Sequence, residues 1–264
     1  MGTQLTASDR DPRWNPATRV AFRFCVVYFS LFCCYFQMLW GLMPPVGRYV
    51  RPPSLVTLWP MRPLVDWTAV HVFGIRTQLF QSRWDTGDQI AGWVALFCVL
   101  VIAAVVTAIW SVVDRHRHSY PGLSAWFRVF ARFCVASELI AYGLVKVVRV
   151  QMPFPLSQLV EPLGDFSPAE VLWAQVGSSP PYEILLGCAE VIGGALLVCS
   201  RTTTAGALLC VVDMTQVFIL NMTFGIPVKI ISFHLLLLSL LLLAPEWRRL
   251  VGADFDQCGA EVVG

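Results

Sequence analysis

Charge is scarce in this chain. Only 14% of its 264 residues are Asp, Glu, Lys or Arg, while 56% are hydrophobic; a soluble domain carries about 25% charged residues. The formal net charge of +2, without a basic stripe, argues against a nucleic acid partner. The hydrophobic residues gather in runs of about 20, the length that crosses a bilayer as a helix. The sequence therefore predicts a membrane protein whose first partner is the lipid bilayer.

Signals for disulfides and metals are also lacking. Eight of the nine cysteines lie in apolar runs, and only Cys258 lies in a polar segment. There is no CxxC and no Cys/His metal spacing, so we predict neither a metal site nor an intrinsic cofactor. Buried cysteines behave as small hydrophobic residues, and the vicinal pair Cys33-Cys34 is the one redox candidate.

The apolar runs predict an all-α polytopic membrane protein. Only helices and closed barrels satisfy the backbone in lipid, and these runs are too long and too apolar for barrel strands. Six spans are predicted, at about 20–43, 92–113, 125–148, 182–199, 205–224 and 230–245. The corresponding divisions are a cytoplasmic segment 1–19, a two-helix extension with an outer loop 20–124, a four-helix membrane bundle 125–250 and a flexible tail 251–264.

The connecting segments set the orientation. Lys and Arg near the ends of the short loops favour both termini in the cytoplasm. The loop 44–91 contains Trp59, Trp67 and Trp84 and is predicted to lie along the outer membrane surface. In the next outer loop, Ser167 and Glu170 form a capping-box pattern, which predicts a short helix from Pro168 to Val176.

The last four predicted spans carry ionisable residues near their centres. A charge at that depth costs roughly 2.5–3.5 kcal/mol on insertion scales, so these residues predict a functional polar interior. Tyr142 and Lys146 follow Glu138 at steps of four and share its helix face. The predicted ligand or proton site comprises Glu138, Tyr142, Lys146, Gln151, Glu190, Asp213, Gln216, Asn221, Lys229 and His234.

The charges of this interior do not balance. Three carboxyl groups, on Glu138, Glu190 and Asp213, lie near one depth, and His234 is the only cation expected there. We therefore expect at least two of the acids to be protonated at neutral pH. A simpler interpretation stays open, in which the polar residues only hold helices together and the two lysines reach toward the interface.

Several strings resemble those of DoxX-like membrane proteins of bacteria. They are ELIAYGLVKVVRVQMPFP (138–155), EPLGDFSP (161–168), VGSSPPY (176–182), GCAEVIGGALLVCSRTTTAGAL (187–208) and LNMTFGIPVKIISFHLLLLSLLLLAPE (220–246). HVFGI (71–75) and TGDQIAGW (86–93) resemble the extension of longer members. Those members often have Asp where this chain has Gly225.

The resemblance implies a four-helix membrane bundle in the C-terminal half and a bacterial cytoplasmic membrane as its location. Some family members associate with redox systems, including thiosulfate:quinone oxidoreductase and a membrane thiol-stress complex. The residues that it implies as the polar site are Tyr142, Lys146, Gln151, Pro153, Glu190, Asn221, Pro227, Lys229 and His234. Fold-level analogy transfers little chemistry by itself.

Three functional hypotheses follow. The first is a membrane component of a redox system that contacts quinone or an extracytoplasmic oxidoreductase partner. The second is a proton-coupled small-molecule transporter, although no inverted repeat is visible in the sequence. The third is a non-catalytic scaffold or assembly factor that recruits a partner protein through its outer loops. The sequence leaves open whether the protein is an enzyme.

Overall fold

Every regular element in the described part of the chain is a helix. The computed structural model describes residues 14–39, 61–76, 88–154 and 156–246. The N-terminal residues 1–13, most of the loop 44–91 with Trp59 and Trp84, and the tail 251–264 lie outside them. The helices are α1 Pro16–Tyr35, α2 Met61–His71, α3 Ile90–Val113, α4 Pro121–Val147, α5 Pro168–Gly177, α6 Pro180–Val198, α7 Thr203–Thr223 and α8 Lys229–Leu243, with short 3-10 turns at Leu156–Leu159 and Leu163–Asp165.

Among the described residues, four helices are long and apolar enough to cross a membrane: α1, α3, α6 and α7. The chain is thus a helical membrane protein by the length and composition of its helices. The 27-residue α4 carries more charge, and α8 has only 15 residues. The count of six spans remains a prediction.

Helices α4, α6, α7 and α8 form a bundle, and α1 and α3 pack together beside it. The largest hydrophobic cluster lies between α1 and this bundle and includes Phe32, Phe127, Leu139, Leu197 and Leu238. Helix α2 packs its Val65 and Ala69 against α3, although the sequence had suggested only a surface segment there. We call the end of the bundle near α5 the α5 end and the opposite end the Arg23 end.

Glycines bring the backbones of α4 and α6 into direct contact. A Cβ added at Gly187 would lie 2.6 Å from the carbonyl oxygen of Gly143, and one at Gly143 would lie 2.6 Å from that of Gly187. About two turns further along α6, a Cβ at Gly194 would lie 3.0 Å from the carbonyl oxygen of Ala136. Small residues thus allow the two helices to approach closely, and this contact sets the geometry of the site below.

The predicted capping box at the start of α5 is confirmed. The Ser167 hydroxyl accepts from the Glu170 N–H at 3.3 Å, and the Glu170 carboxylate accepts from the Ser167 N–H at 2.7 Å. These hydrogen bonds, led by the one from the Ser167 side chain, hold the pKa of Glu170 below its usual range. The predicted stop is at Gly177, the last residue of the helix. The box therefore fixes where α5 begins, over the open end of the bundle.

A buried arginine joins α1 to the turn between α3 and α4. Arg23 is 3% exposed. It donates from Nε to the Tyr120 hydroxyl at 2.9 Å and from Nη2 to the Asp114 carbonyl at 2.8 Å. The Tyr120 hydroxyl donates in turn to the Asp114 carboxylate at 2.7 Å. We refer to Arg23, Tyr120 and Asp114 as the arginine cluster; it closes the Arg23 end of the helices.

Candidate functional site

An ion pair between α4 and α6 forms the centre of the candidate site. Lys146 Nζ lies 2.6 Å from both carboxylate oxygens of Glu190. The two residues are 7% and 2% exposed. The shared helix face predicted from the sequence puts Tyr142 between Glu138 and Lys146, which are about 12 Å apart along α4. The structure instead gives Lys146 a carboxylate from the neighbouring helix.

The packing of α4 against α6 explains this pair. Gly143 and Gly187 touch, and the ionic residues stand three positions after each of them, at 146 and 190. The helices run in opposite directions, so the two Cα atoms are offset by roughly 9 Å along the axis. Side chains tilt toward the N-terminus of their own helix, and for Lys146 and Glu190 this means toward each other. The glycine contact is close enough for the tilted side chains to meet.

A cavity of about 250 Å³ adjoins this pair and is enclosed by α4, α5, α6, α7 and α8. Its lining is mainly apolar, with contributions from Leu172, Trp173 and Val176 of α5. Seven of the ten predicted site residues line it: Tyr142, Lys146, Gln151, Glu190, Asp213, Gln216 and Asn221. The structure therefore brings these seven together, whereas Glu138, Lys229 and His234 are placed elsewhere.

Two buried oxygens at the cavity have no hydrogen-bond partner among the described residues. They are Oδ2 of Asp213 on α7 and Oε1 of Gln151 in the segment after α4. Asp213 lies within electrostatic reach of both Glu190 and Lys146. A buried polar atom without a partner is costly and calls for an explanation in a native structure. Both oxygens can accept a hydrogen bond from a molecule in the cavity.

The segment that carries Gln151 is held by Glu183. This residue is fully buried at the start of α6. Its carboxylate accepts from the Met152 N–H at 3.3 Å and pairs with Arg149 Nε at 3.4 Å. Arg149 adopts a φ of 57°, which a non-glycine residue takes only when its surroundings hold it there. Glu183 is thus a positioning residue for Gln151.

Asn221 and Ser232 close the cavity between α7 and α8. The Asn221 amide donates to the Ser232 hydroxyl at 3.0 Å, and that hydroxyl can donate to the Val228 carbonyl at 3.0 Å. All three residues line the cavity. One N–H of the Asn221 amide is therefore used between helices, as the helix-holding interpretation of this residue expected.

Lys229 has a partner that sequence reasoning missed. Asp88, just before α3, accepts from the backbone N–H groups of Lys229 and Ile230 at 2.7 and 2.9 Å. Its carboxylate also lies 3.6 Å from Lys229 Nζ. The carboxylate caps α8 from a position 141 residues away. The signal available was the string TGDQIAGW, which contains Asp88 and resembles the extension of longer DoxX-like proteins.

His234 faces α1 and does not meet the acids at the cavity, contrary to the expectation from its depth. Its Nδ1 lies 2.7 Å from the Ile230 carbonyl, which can only accept, so Nε2 accepts from the Tyr28 hydroxyl at 2.7 Å. The ring stacks on Phe32 with centroids 3.8 Å apart. The cavity-lining positions of α8 are 231, 232 and 235, and position 234 lies to one side of them. The imidazole therefore joins α1 to α8 with both nitrogens satisfied.

The charge count at the site changes with these contacts. The sequence assigned the only cation at this depth to His234, but Lys146 reaches inward and neutralises Glu190. Glu138 is half-buried and does not line the cavity. At the cavity itself, one lysine therefore serves two carboxyl groups, and Asp213 is the acid without an ion-pair partner among the described residues.

The cysteines give no site of their own. All eight within the described ranges are free thiols. Cys33 is buried and Cys34 is exposed, so the two vicinal side chains point into different surroundings. Searched over the same ranges, His, Cys, Asp and Glu form no group of three that could hold a metal ion.

Fold and site together define an all-helical integral membrane protein with an internal, mainly apolar cavity bordered by one ion pair and one unpaired acid. A curated protein of Bacillus subtilis (strain 168), "Uncharacterized protein YwoB", is similar to this chain: 28% identical over 130 residues, which are 49% of this chain and 80% of YwoB. No family model matches the chain. No solved structure matches it either.

Proposed function

We propose that this chain is a DoxX-like membrane component of a redox or quinone-linked system, with α4, α6, α7 and α8 as the family's four-helix bundle. Its cavity holds the polar head group of a small lipophilic molecule of the quinone class. The observation that carries the proposal is the cavity of about 250 Å³, where the Lys146–Glu190 pair and the Asp213 carboxyl meet an apolar lining.

The lining supports an amphipathic ligand. Ligand cavities are mostly apolar with a few placed polar groups, and typically measure about 300–1,000 Å³. This cavity is slightly smaller, which suits a head group with part of its tail. Gln216 both lines the cavity and is exposed on α7, a helix apolar enough to cross the membrane. A lipophilic molecule would enter beside Gln216, directly from the bilayer.

The polar groups support proton exchange with that head group. Asp213 and Tyr142 line the cavity and can exchange a proton with a bound molecule, and the Lys146–Glu190 pair fixes the local charge. The chain carries no cofactor motif. In the proposal, electrons therefore come from a membrane or extracytoplasmic oxidoreductase partner, and this chain supplies the binding site and the proton path.

The cavity favours this proposal over a non-catalytic scaffold. A scaffold has no use for a void next to charged groups, and its buried acids would be bonded to the backbone or to one another. Glu183 and Glu190 fit that description, but Asp213 does not, because its Oδ2 has no partner in the described part of the chain. Unpaired acids next to a cavity are typical of functional sites.

Tryptophan fluorescence tests the proposal, since Trp173 lines the cavity and quinones quench indole emission on contact. The purified protein in nanodiscs is titrated with decylubiquinone. We expect saturable quenching that Trp173→Phe reduces and that Trp126→Phe, a change at an exposed tryptophan of α4, leaves intact. Quenching that rises linearly without saturation, or that is equal in both variants, would contradict the proposal. Mass spectrometry of lipids extracted from gently purified protein identifies the natural molecule.

A further inference from the structure

We infer that the cavity selects a lipophilic molecule whose head group carries hydrogen-bond donors, as a hydroxyl or an ammonium, over one that can only accept. Within the quinone class this is the reduced quinol, which carries two hydroxyls, in preference to the oxidised quinone. This inference rests on the proposed function and adds to it the chemistry of the head group. It follows from an inventory of the hydrogen-bonding groups around the cavity.

The unmatched groups are acceptors. Asp213 Oδ2 and Gln151 Oε1 are buried, line the same cavity and have no partner within the described residues. A carboxylate oxygen and an amide oxygen each take a hydrogen bond from a donor. A head group that carries only carbonyl or ether oxygens would leave both of them unmatched, at the cost of a desolvated polar atom each.

Two buried donor groups at the cavity, on Lys146 and Asn221, already make hydrogen bonds within the protein. Lys146 directs hydrogen bonds to both oxygens of Glu190, and its ammonium lies 6.0 Å from the centre of the Tyr142 ring. The Asn221 amide donates to Ser232. Each of these groups keeps a further N–H that an acceptor-only head group could use, but such a molecule would still leave the Asp213 and Gln151 oxygens unmatched.

Charge points in the same direction. The cavity is bordered by two carboxyl groups, Glu190 and Asp213, and by the single cation Lys146. One positive equivalent is thus lacking when Asp213 is ionised. A hydroxyl directed at Asp213 offsets part of this missing positive charge through a charge-assisted hydrogen bond. An ammonium group supplies the full positive charge.

The test uses a pair of ligands in which one methyl group replaces the hydroxyl proton and so removes the donor. Binding of 4-decylphenol and of its methyl ether, 4-decylanisole, to the full chain in nanodiscs is measured by calorimetry, with decylamine as the ammonium probe. A hydrogen bond to a charged group is among the stronger hydrogen bonds in proteins. Its loss corresponds to a change of about tenfold in binding affinity. We expect the phenol to bind about tenfold tighter than the ether. Tighter binding of decylamine would identify the donor as an ammonium.

Variants locate the selectivity. Asp213→Asn and, separately, Gln151→Met should reduce the phenol-to-ether ratio to about twofold or threefold. Glu138→Gln is the matched control, since it changes a half-buried acid of α4 that does not line the cavity, and should keep the full ratio. Two separate variants protect the test if one of them fails to fold.

The inference and the proposed function fail differently. Saturable binding of the ether at least as tight as that of the phenol would overturn the inference and leave the proposed cavity in place. Unchanged ratios in both Asp213→Asn and Gln151→Met would also overturn it. If neither the probes nor decylubiquinone binds saturably, the proposed function falls, and the inference falls with it.

Discussion

Two buried polar clusters lie at opposite ends of this molecule and are built differently. In the arginine cluster, Arg23, Tyr120 and Asp114 bond to one another at 2.6–2.9 Å between packed aromatic rings. At the cavity, Lys146 and Glu190 form an equally short pair. The neighbouring Asp213 oxygen, however, has no partner among the described residues and borders a void.

The difference separates two uses of a buried charge. A cluster whose members satisfy one another fixes the position of helices, and the same holds for His234 with both ring nitrogens bonded. A cluster that leaves an acid unmatched beside open space is incomplete as a structural device and has capacity for a ligand or a proton. Depth in the membrane was therefore a weaker guide to function than the pairing of each group.

The largest expected effect is at the Lys146–Glu190 pair. Glu190→Gln or Lys146→Met alone leaves a buried charge without its counter-ion, and should lower the free energy of unfolding by about 3–5 kcal/mol. The double variant removes both charges and should recover most of the loss. Titration with sodium dodecyl sulfate measures all three. A double variant as unstable as the sum of the singles would show that the pair does not act as a unit.

Arg23 should be next. Arg23→Met removes hydrogen bonds to Tyr120 and to the Asp114 carbonyl, and should cost about 2–3 kcal/mol in the same titration. The control is Arg19→Met, because Arg19 contacts only backbone carbonyls in the same turn, and its loss should be smaller. Equal losses for the two variants would mean that Arg23 is not the residue that closes this end of the helices.

Asp114 should make a smaller contribution to stability, and this contribution should depend on pH. The hydrogen bond from Tyr120, with help from Trp110, Arg117 and Arg23, holds the pKa of Asp114 below its usual 3.8. A lowered folded-state pKa adds stability above 3.8 that is lost as the pH falls through the folded value. Melting temperatures of the wild type and Asp114→Asn should therefore differ near neutral pH and converge below the folded value. A constant gap down to about pH 2 would contradict this.

Asp213→Asn should have almost no effect on the free energy of unfolding. This result would contrast most clearly with the losses expected for the Lys146, Glu190 and Arg23 variants. The residue makes no ion pair within the described ranges, so the neutral amide should fold within about 0.5 kcal/mol of the wild type. Its effect should appear in ligand binding alone. An unfolded or strongly destabilised Asp213→Asn protein would place this acid with Arg23 as a structural residue.

The helices were predictable because their signals are local. Hydropathy predicted spans at 92–113 and 205–224, which are observed as α3 and α7 with bounds shifted by one or two residues. Ser167, Pro168 and Glu170 fixed α5 through a pattern only four residues long. Helix α2 was missed, because its single helical face is short and lies within a segment rich in proline and tryptophan.

The partners in the site were less predictable because they depend on which helix faces meet. The sequence places Lys146 and Glu190 in two predicted spans, but the Gly143–Gly187 contact that joins them forms only when α4 and α6 pack. The direction of the His234 side chain depends on where α1 lies, which no local pattern records. No local pattern could have assigned Asp88 to α8.

The cap on α8 ties together segments that leave the ribosome at very different times. Asp88 is synthesised long before Lys229 and Ile230, so its carboxylate can accept their backbone N–H groups only after α8 has been made. A fragment that begins at α4 would contain every residue around the cavity, yet would leave the first amides of α8 without their acceptor. The segment before α3 thus supplies the capping group of the last helix of the bundle.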